Sequence, residues 1–221
     1  EYSEPEVTIP IERKGMLTRA PLSYFKGISS LELLKVVRFF IKEARGNLWD
    51  ISRGQFEEVA HLLEKGRGEV QLPGKFKVFI RDGYLWASPD LFFLADVPHW
   101  LFPLQLPGEN FFPDLGIAIR GNWKGEEKKR MLHSIDWDFE KCYPPFVVRN
   151  FKDGDRIWQK GKEIKVKELF PRKGIVREWR KLIPFICDKE KILWIPGLAL
   201  DERIRVRENS KQILAVSIGW L

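Results

Sequence analysis

Apolar residues in the first half of the chain follow a helical period and then an alternating one, which restricts the fold to mixed classes. Residues 29–45 and 52–65 carry apolar side chains at intervals of three and four. Each stretch begins with a serine followed three residues later by Glu or Gln, the spacing of a capping box. Apolar positions alternate from Phe76 to Ile80, and Asp82-Gly83 has the sequence of a tight turn. We therefore predict a helical hairpin followed by a β-hairpin, after an irregular segment at 1–28.

The second half of the chain is divided into short segments by glycine and proline. Five prolines between residues 89 and 113 mark a domain junction that is rich in apolar residues. Beyond it we predict short strands and two short helices, at 166–170 and 175–182. The expected fold class is α+β in two parts. Residues 1–90 form the helical hairpin plus β-hairpin domain, and residues 91–221 form a small mixed α+β domain. Strands in the second part are predicted at 116–123, 132–139, 146–149, 156–158, 185–187, 192–195, 203–207 and 213–218.

Positive charge is concentrated toward the C-terminal end. The formal net charge of the chain is +7. Residues 149–211 hold 18 Lys and Arg against 10 Asp and Glu, whereas residues 1–148 hold 20 against 21. A near-neutral body with a basic C-terminal third is typical of a protein that binds a polyanion, although a basic face can also be ordinary solvated surface.

Several classes of function lack their sequence signatures. There is no glycine-rich phosphate loop, and His61, His99 and His133 are too far apart in sequence for a zinc-ligand spacing. Cys187 follows an apolar strand and is expected to be buried and unreactive, while Cys142 could be exposed. No segment approaches the roughly 20 apolar residues of a membrane-spanning helix, and we expect no signal peptide. We therefore expect a cytoplasmic protein with no membrane partner.

One stretch carries a more specific pattern. It combines Arg149, the turn Gly154-Asp155-Arg156, a lysine-rich entry to a short helix at 164–170, paired arginines before an Ile-Pro step, and Trp194-Ile195-Pro196-Gly197. In this order and spacing the pattern resembles the C-terminal domain of bacterial tRNA(Ile)-lysidine synthase, with a family core at about residues 146–218.

The first part of the chain resembles the middle, substrate-binding domain of the same family. The helix at 56–65, Leu72-Pro73-Gly74 and the hairpin around Gly83 carry this resemblance. Two segments depart from the family pattern: Ile175-Val176 stands where the family usually has Val-Pro, and a Gly-rich segment is reduced to Gly161-Lys162-Glu163. The family's adenylating domain, with its Ser-Gly-Gly-x-Asp-Ser loop, has no counterpart here. We expect the middle and C-terminal part of such an enzyme.

The resemblance implies a function in tRNA modification. The family uses ATP, with magnesium, to activate the wobble cytidine of the CAU-anticodon isoleucine tRNA, and lysine then displaces AMP to form lysidine. The resemblance implies that this chain binds that tRNA at the acceptor stem, and not DNA. It further implies that ATP, magnesium and lysine are used by the N-terminal domain, so that this chain binds no cofactor, has no catalytic residue and is inactive alone. It is compatible with a homodimer.

Six basic residues within this pattern are the predicted RNA contacts, because Lys and Arg beside a duplex neutralise phosphates and release counterions. An arginine can bind a phosphate in a forked geometry, and a lysine acts as a point charge. The two lysines could instead be a solvated helix start, and Arg177 and Arg180 could form ion pairs with Glu168 or Glu178. The six are Arg149, Arg156, Lys165, Lys167, Arg177 and Arg180.

Three further predictions concern the surroundings of these residues. Most of the nine tryptophans are expected in the core; Trp158 and Trp179 lie beside basic residues and are the two candidates to test for stacking on bases. The charged loop Lys128-Lys129-Arg130 is a candidate for phosphate contact. Asp155 is expected to orient Arg156. Two other functions stay open: a stand-alone tRNA-binding module that acts in trans, and a non-catalytic structural or interaction domain.

Overall fold

The computed structural model describes residues 9–14, 17–89, 99–125 and 131–220. The chain divides into two compact units, the first running to Asp90 and the second from Leu91 onward, except that residues 14–16 group with the second. Both units combine helices with β-sheet, which confirms the α+β class predicted from the sequence. No helix in the described ranges is long and apolar enough to cross a membrane.

The first unit consists of two helices that pack against a five-stranded sheet. Its elements in chain order are β1 (Glu12–Lys14), β2 (Leu17–Pro21), a 3-10 helix (Leu22–Phe25), α1 (Ser30–Arg45), α2 (Arg53–Lys65), β3 (Glu69–Leu72), β4 (Phe76–Arg81) and β5 (Tyr84–Pro89). The sheet order is β1-β2-β5-β4-β3. The predicted helical hairpin and β-hairpin are therefore present, and three further strands complete the sheet.

The two helices differ in how they begin. At the start of α2 the Ser52 hydroxyl accepts the Gln55 N–H at 3.3 Å, and the Gln55 side-chain oxygen accepts the Ser52 N–H at 2.9 Å. This is the complete capping box that the sequence predicts. At the start of α1 the Ser29 hydroxyl instead donates to the Glu32 carboxylate at 2.7 Å and caps no backbone group. The first of the two predicted capping boxes is therefore wrong.

The segment 1–28, predicted to be irregular, contains β1, β2 and the first 3-10 helix. Strand β2 pairs antiparallel with β5, with Thr18 opposite Ala87 and Ala20 opposite Leu85. Thr18 and Ala20 are fully buried. Five residues are too few to show an alternating pattern, so pairing with a strand more than 60 residues away decides this element.

The second unit contains two larger sheets, ordered as β15-β14-β13-β10-β6 and β7-β8-β16-β9, and the two-stranded hairpin β11-β12. These strands are β6 (Leu101–Leu104), β7 (Gly108–Phe112), β8 (Ile117–Trp123), β9 (His133–Asp138), β10 (Phe146–Arg149), β11 (Arg156–Gln159), β12 (Lys162–Lys165), β13 (Phe185–Cys187), β14 (Ile192–Ile195), β15 (Ala199–Leu200) and β16 (Ile213–Trp220). Among its described residues the helices are α3 (Val166–Arg172) and four short 3-10 helices, Pro113–Leu115, Phe139–Lys141, Arg177–Leu182 and Glu202–Ile204.

The core of the second unit is shared by its two larger sheets. Ile119, Trp137 and Leu214 from one sheet and Val148 and Leu193 from the other are fully buried in a single cluster. Burying each such side chain stabilises the fold by roughly 1.5–3 kcal/mol. The C-terminal strand β16 lies inside its sheet, hydrogen-bonded to β8 on one side and to β9 on the other. Strand β16 is therefore part of this core.

Two predicted elements of the second unit have a different geometry. The segment 175–182 forms a 3-10 helix over Arg177–Leu182 in place of an α-helix. The segment 203–207 was predicted as a strand but begins inside the 3-10 helix Glu202–Ile204. The reason is that the Asp201 carboxylate accepts the backbone N–H of Arg203 at 2.9 Å and starts a turn there.

Candidate nucleic-acid interface

A cleft of about 720 Å³ opens in the second unit, where β10, β11, the turn between β13 and β14 and the segment after β15 come together. Its walls carry both basic and acidic side chains, with the basic ones in excess. The acidic residues are Asp155, Glu163, Asp188 and Glu190. The basic residues are Lys141, Arg149, Arg156, Lys189, Lys191 and Arg203. Arg149 and Arg156 are thus the two predicted RNA contacts that line this cleft.

Arg149 is held by a carboxylate. Its two terminal nitrogens donate to the two oxygens of Asp155, each at 2.8 Å, and the side chains are only 13% and 10% exposed. Burial lowers the pKa of Arg149, but the hydrogen bonds and charge of Asp155 outweigh it and raise the pKa above its ordinary value. Asp155 also accepts the Lys152 N–H at 2.8 Å, so the pair fixes the turn between β10 and β11. In our interpretation Arg149 is a structural residue.

The expected link between Asp155 and Arg156 is absent from the described structure. Asp155 binds Arg149, while the Arg156 guanidinium lies 3.9 Å from the Glu163 carboxylate, with both side chains about half exposed. An ion pair this long and this exposed contributes little to stability. The prediction that Asp155 orients Arg156 is therefore wrong, and Arg156 remains open to solvent.

The β11-β12 hairpin sets two cations side by side. Arg156 lies directly opposite Lys165, and Ile157, which is fully buried, lies opposite Ile164 on the other face. Like charges directly opposite in an antiparallel pair are destabilising. Within the described residues Lys165 forms no ion pair and is exposed, as is Lys167 at the start of α3. The hairpin therefore presents positive charge next to the cleft that Glu163 compensates only weakly.

The two predicted helix arginines have different surroundings. Arg177 is exposed, whereas Arg180 is partly buried, with its guanidinium 5.2 Å from the centre of the Phe170 ring. The buried Nε of Arg180 has no hydrogen-bond partner in the described part of the chain. Glu168, one proposed partner, has its carboxylate 4.0 Å from Arg172. Arg180 therefore packs on the core, while Arg177 remains a candidate for RNA contact.

The two tryptophans proposed for stacking also have different surroundings. Trp158 is partly buried and lines the cleft, while Trp179 is only 5% exposed and belongs to the core. Trp179 is therefore unsuited to stacking on a base. The side chain of Glu178 and the loop Lys128-Lys129-Arg130, a further predicted phosphate contact, lie outside the described residues.

Sequence reasoning did not select three further cations of the cleft that carboxylates hold in place: Lys141, which pairs with the buried Asp138, and Lys191 and Arg203. Lys191 donates to the Lys141 carbonyl at 2.8 Å and lies 3.7 Å from the fully buried carboxylate of Asp188. Arg203 forms a forked pair with the buried Asp201, at 3.0 and 2.7 Å. The turn sequence after Asp188 and the Asp-x-Arg at 201–203 are the signals that could have indicated the pairs of Lys191 and Arg203. We call Arg149, Lys141, Lys191 and Arg203 the paired cations.

A second group of cations around the cleft lacks a close carboxylate. It contains Arg156, Lys165 and Lys189, and we call these the open cations. Lys189 is exposed at the turn between β13 and β14, and no ion pair is found for it among the described residues. The cleft thus combines cations that a buried carboxylate compensates with cations that, among the described residues, have at most a long and exposed carboxylate contact.

Nucleophilic and metal chemistry has little support at this site. Burial raises the pKa of Cys187, which lines the cleft, to about 11. Cys142, which could have been exposed, is buried, and burial together with the charge of Asp188 raises its pKa to about 12. Both thiols are therefore protonated at neutral pH. The described part of the chain holds no group of three or more His, Cys, Asp or Glu that could bind a metal ion.

Comparison with known proteins agrees with the motif-based resemblance. Residues 146–220 match the family model of the TilS substrate C-terminal domain. The tRNA(Ile)-lysidine synthase of Clostridium tetani is 27% identical over 192 residues, which cover 83% of this chain and 41% of that protein. The enzyme of the same name from Dehalococcoides mccartyi is 31% identical over 208 residues, covering 84% and 41%.

The matches cover only part of the length of the relatives. The chain spans about two fifths of the length of these curated relatives. A solved structure, described as the crystal structure of TILS C-terminal domain, is 24% identical and matches with a TM-score of 0.47, covering 56% of this chain and 98% of that one. The resemblance to tRNA(Ile)-lysidine synthase that the sequence motifs indicate is confirmed by the family match and the relatives.

Proposed function

We propose that this chain, whose residues 146–220 carry the TilS substrate C-terminal domain, is the tRNA-recognising part of a tRNA(Ile)-lysidine synthase. The open cations carry this proposal, above all Arg156 and Lys165, which lie opposite each other on the β11-β12 hairpin within the matched residues. Two cations in this arrangement repel each other, and a polyanion that binds both removes the repulsion.

The proposed reaction of the whole enzyme is the conversion of the wobble cytidine of the CAU-anticodon isoleucine tRNA to lysidine, with ATP and lysine, in the cytoplasm. The described residues do not fit ATP and its metal ion. The sequence has no glycine-rich phosphate loop, and the described residues contain no metal-ligand cluster. We therefore assign no catalytic step to this chain, and its proposed part is to bind and position the tRNA.

The chain would bind tRNA mainly through contacts with the phosphate backbone. Double-stranded RNA is recognised through its shape, its phosphates and its 2′-hydroxyls, because its major groove is too narrow for side chains to read. Lys167 and Arg177 are exposed and extend the positive surface beyond the open cations. A surface of this kind matches a tRNA helix such as the acceptor stem, and we propose contact at that stem.

Binding of tRNA at two salt concentrations tests the proposal. We expect the 221-residue chain to bind an isoleucine tRNA transcript with a CAU anticodon. If about four phosphates are contacted, the affinity should fall roughly a hundredfold between 50 and 200 mM salt. Undetectable binding at 50 mM salt, or an affinity that does not change with salt, would reject RNA binding by this chain. The result would then favour a structural or interaction domain.

A further inference from the structure

Tyr143 presents an aromatic ring to the cleft and is held in place by its backbone. Its N–H donates to the Asp188 carboxylate at 2.9 Å, and its carbonyl accepts the Lys189 N–H at 3.0 Å. The residue is nevertheless 47% exposed, one of the few large apolar side chains with that exposure. The ammonium of Lys191 lies 4.6 Å from the centre of the ring. The ring is therefore oriented in advance, with part of its surface uncovered.

A second planar group faces the same cleft from the β11-β12 hairpin. Trp158 lies beneath the guanidinium of Arg203, which is 5.2 Å from the centre of the indole. The buried carboxylate of Asp201 fixes this guanidinium, and the Arg203 side chain is still 44% exposed. Bases of RNA stack on aromatic rings and on guanidinium planes. The cleft therefore offers two stacking surfaces, the ring of Tyr143 and the Arg203 guanidinium over Trp158.

The size and charge of the cleft restrict what can occupy it. Its volume of about 720 Å³ is within the range of roughly 300–1,000 Å³ that is typical of small-ligand sites. A base within a duplex has its faces covered by its neighbours, whereas an unpaired base can be turned out and stacked on protein. Arg156 and Lys189 also line the cleft and can bind the phosphate that such a nucleotide carries.

We propose that this cleft binds an unpaired nucleotide of RNA, with the base stacked on Tyr143 and the phosphate held by Arg156 and Lys189. The Trp158–Arg203 platform takes the opposite side of the base or the next nucleotide. The inference rests on the proposed function, since it presumes that the chain binds RNA. It adds a site for single-stranded RNA to a surface otherwise suited to a duplex.

Tyr143 variants test the inference with two RNA probes. The first probe is a single-stranded RNA of eight nucleotides, and the second is a blunt RNA duplex of eight base pairs. Replacing Tyr143→Leu keeps an apolar side chain but removes the ring, and should weaken binding of the single strand roughly tenfold. Duplex binding should stay within twofold, and Tyr143→Phe should bind both probes like the unaltered chain. The matched control is Phe111→Leu, at a ring that is 51% exposed and outside the cleft.

The outcomes separate this inference from the proposed function. If the unaltered chain binds neither tRNA nor these probes, the proposed function fails. If the chain binds tRNA with the expected salt dependence and Tyr143→Leu binds the single strand as tightly as before, only the inference is overturned. The inference is also overturned if Tyr143→Leu weakens binding of the single strand and of the duplex equally, or if Phe111→Leu weakens binding of the single strand as much as Tyr143→Leu does. Neither result depends on stacking in the cleft.

Discussion

The paired and open cations differ in their carboxylate partners, although they lie in or beside one cleft. Arg149 and Arg156 are seven residues apart on strands that are consecutive in the chain, yet the first forms a forked pair with Asp155 and the second has only a long contact with Glu163. A cation satisfied by a buried carboxylate has little left to offer a phosphate. A cation without such a partner stays hydrated and available for binding. The paired cations therefore hold the cleft together, and the open cations are the candidates for RNA.

The largest effect is expected from breaking a paired cation. Replacing Asp155→Asn leaves the guanidinium of Arg149 without its carboxylate and should lower the free energy of unfolding by about 3 kcal/mol. Urea unfolding at neutral pH measures this change. Replacing both residues, Arg149→Met with Asp155→Asn, should cost clearly less than the sum of the single changes, because no charge is left unpaired. Additive losses would show that the pair is not coupled.

The open cations should show the opposite behaviour, with binding affected more than stability. In Arg156→Gln/Lys165→Gln, tRNA affinity should fall roughly tenfold at physiological salt, and the slope of log affinity against log salt should decrease by about two. The free energy of unfolding should change by less than about 0.5 kcal/mol.

A matched control removes two exposed lysines from α1 of the first unit, Lys35→Gln/Lys42→Gln. This variant has the same net charge as Arg156→Gln/Lys165→Gln. An equal loss of affinity in the two variants would mean that total charge, and not the hairpin, determines binding.

The helix arginines provide a smaller contrast of the same kind. Arg180→Ala removes a side chain that packs over Phe170 and should lower the free energy of unfolding by about 1 kcal/mol, with tRNA affinity nearly unchanged. Arg177→Ala should leave stability within about 0.5 kcal/mol and weaken tRNA binding a few-fold. Thermal unfolding and tRNA titration of both variants measure these effects. If Arg177→Ala lost stability and Arg180→Ala lost tRNA affinity, the structural role of Arg180 would be contradicted.

The smallest expected effect is the pH-dependent contribution of the Asp138–Lys141 ion pair to the stability of the fold. Burial raises the pKa of Asp138, but hydrogen bonds from Lys141 and Ser210 outweigh it and bring the pKa below its ordinary value. The carboxylate therefore stabilises the fold above its unfolded pKa of about 3.9, and this contribution disappears as the pH falls below that value. The stability difference between the unaltered chain and Asp138→Asn should be constant from about pH 7 to 5 and shrink below about pH 4.

Asp153→Asn is the control for this pH dependence, because Asp153 is exposed in the turn before β11. Its stability profile should follow that of the unaltered chain at every pH. A difference between the unaltered chain and Asp138→Asn that does not change between pH 6 and 3 would contradict the assignment of the pH dependence to Asp138.

Features encoded by neighbouring residues could be predicted. The capping box at Ser52, the α1-α2 hairpin, the β4-β5 hairpin and the short helix after Lys165 depend on residues a few positions apart, and the structure contains them all. The family motifs could be recognised for the same reason, because their residues lie close together in the sequence. Contact of Arg156, Lys165, Lys167 and Arg177 with RNA stays a prediction.

The composition of the cleft could not be predicted in the same way, because its partners are distant in sequence. Tyr143 is fixed by Asp188, and Trp158 is covered by Arg203, each pair separated by about 45 residues. Trp158 and Trp179 have similar basic neighbours, yet one lines the cleft and the other is buried in the core.

The sequence by itself determined where positive charge accumulates, which segments become helices and hairpins, and the family pattern over residues 146–218. Only the tertiary structure decided which of the cations are neutralised and which remain open. The physical reason is that helices and turns depend on local backbone preferences, whereas the state of a charged side chain depends on its burial and on whether the fold places a buried carboxylate beside it.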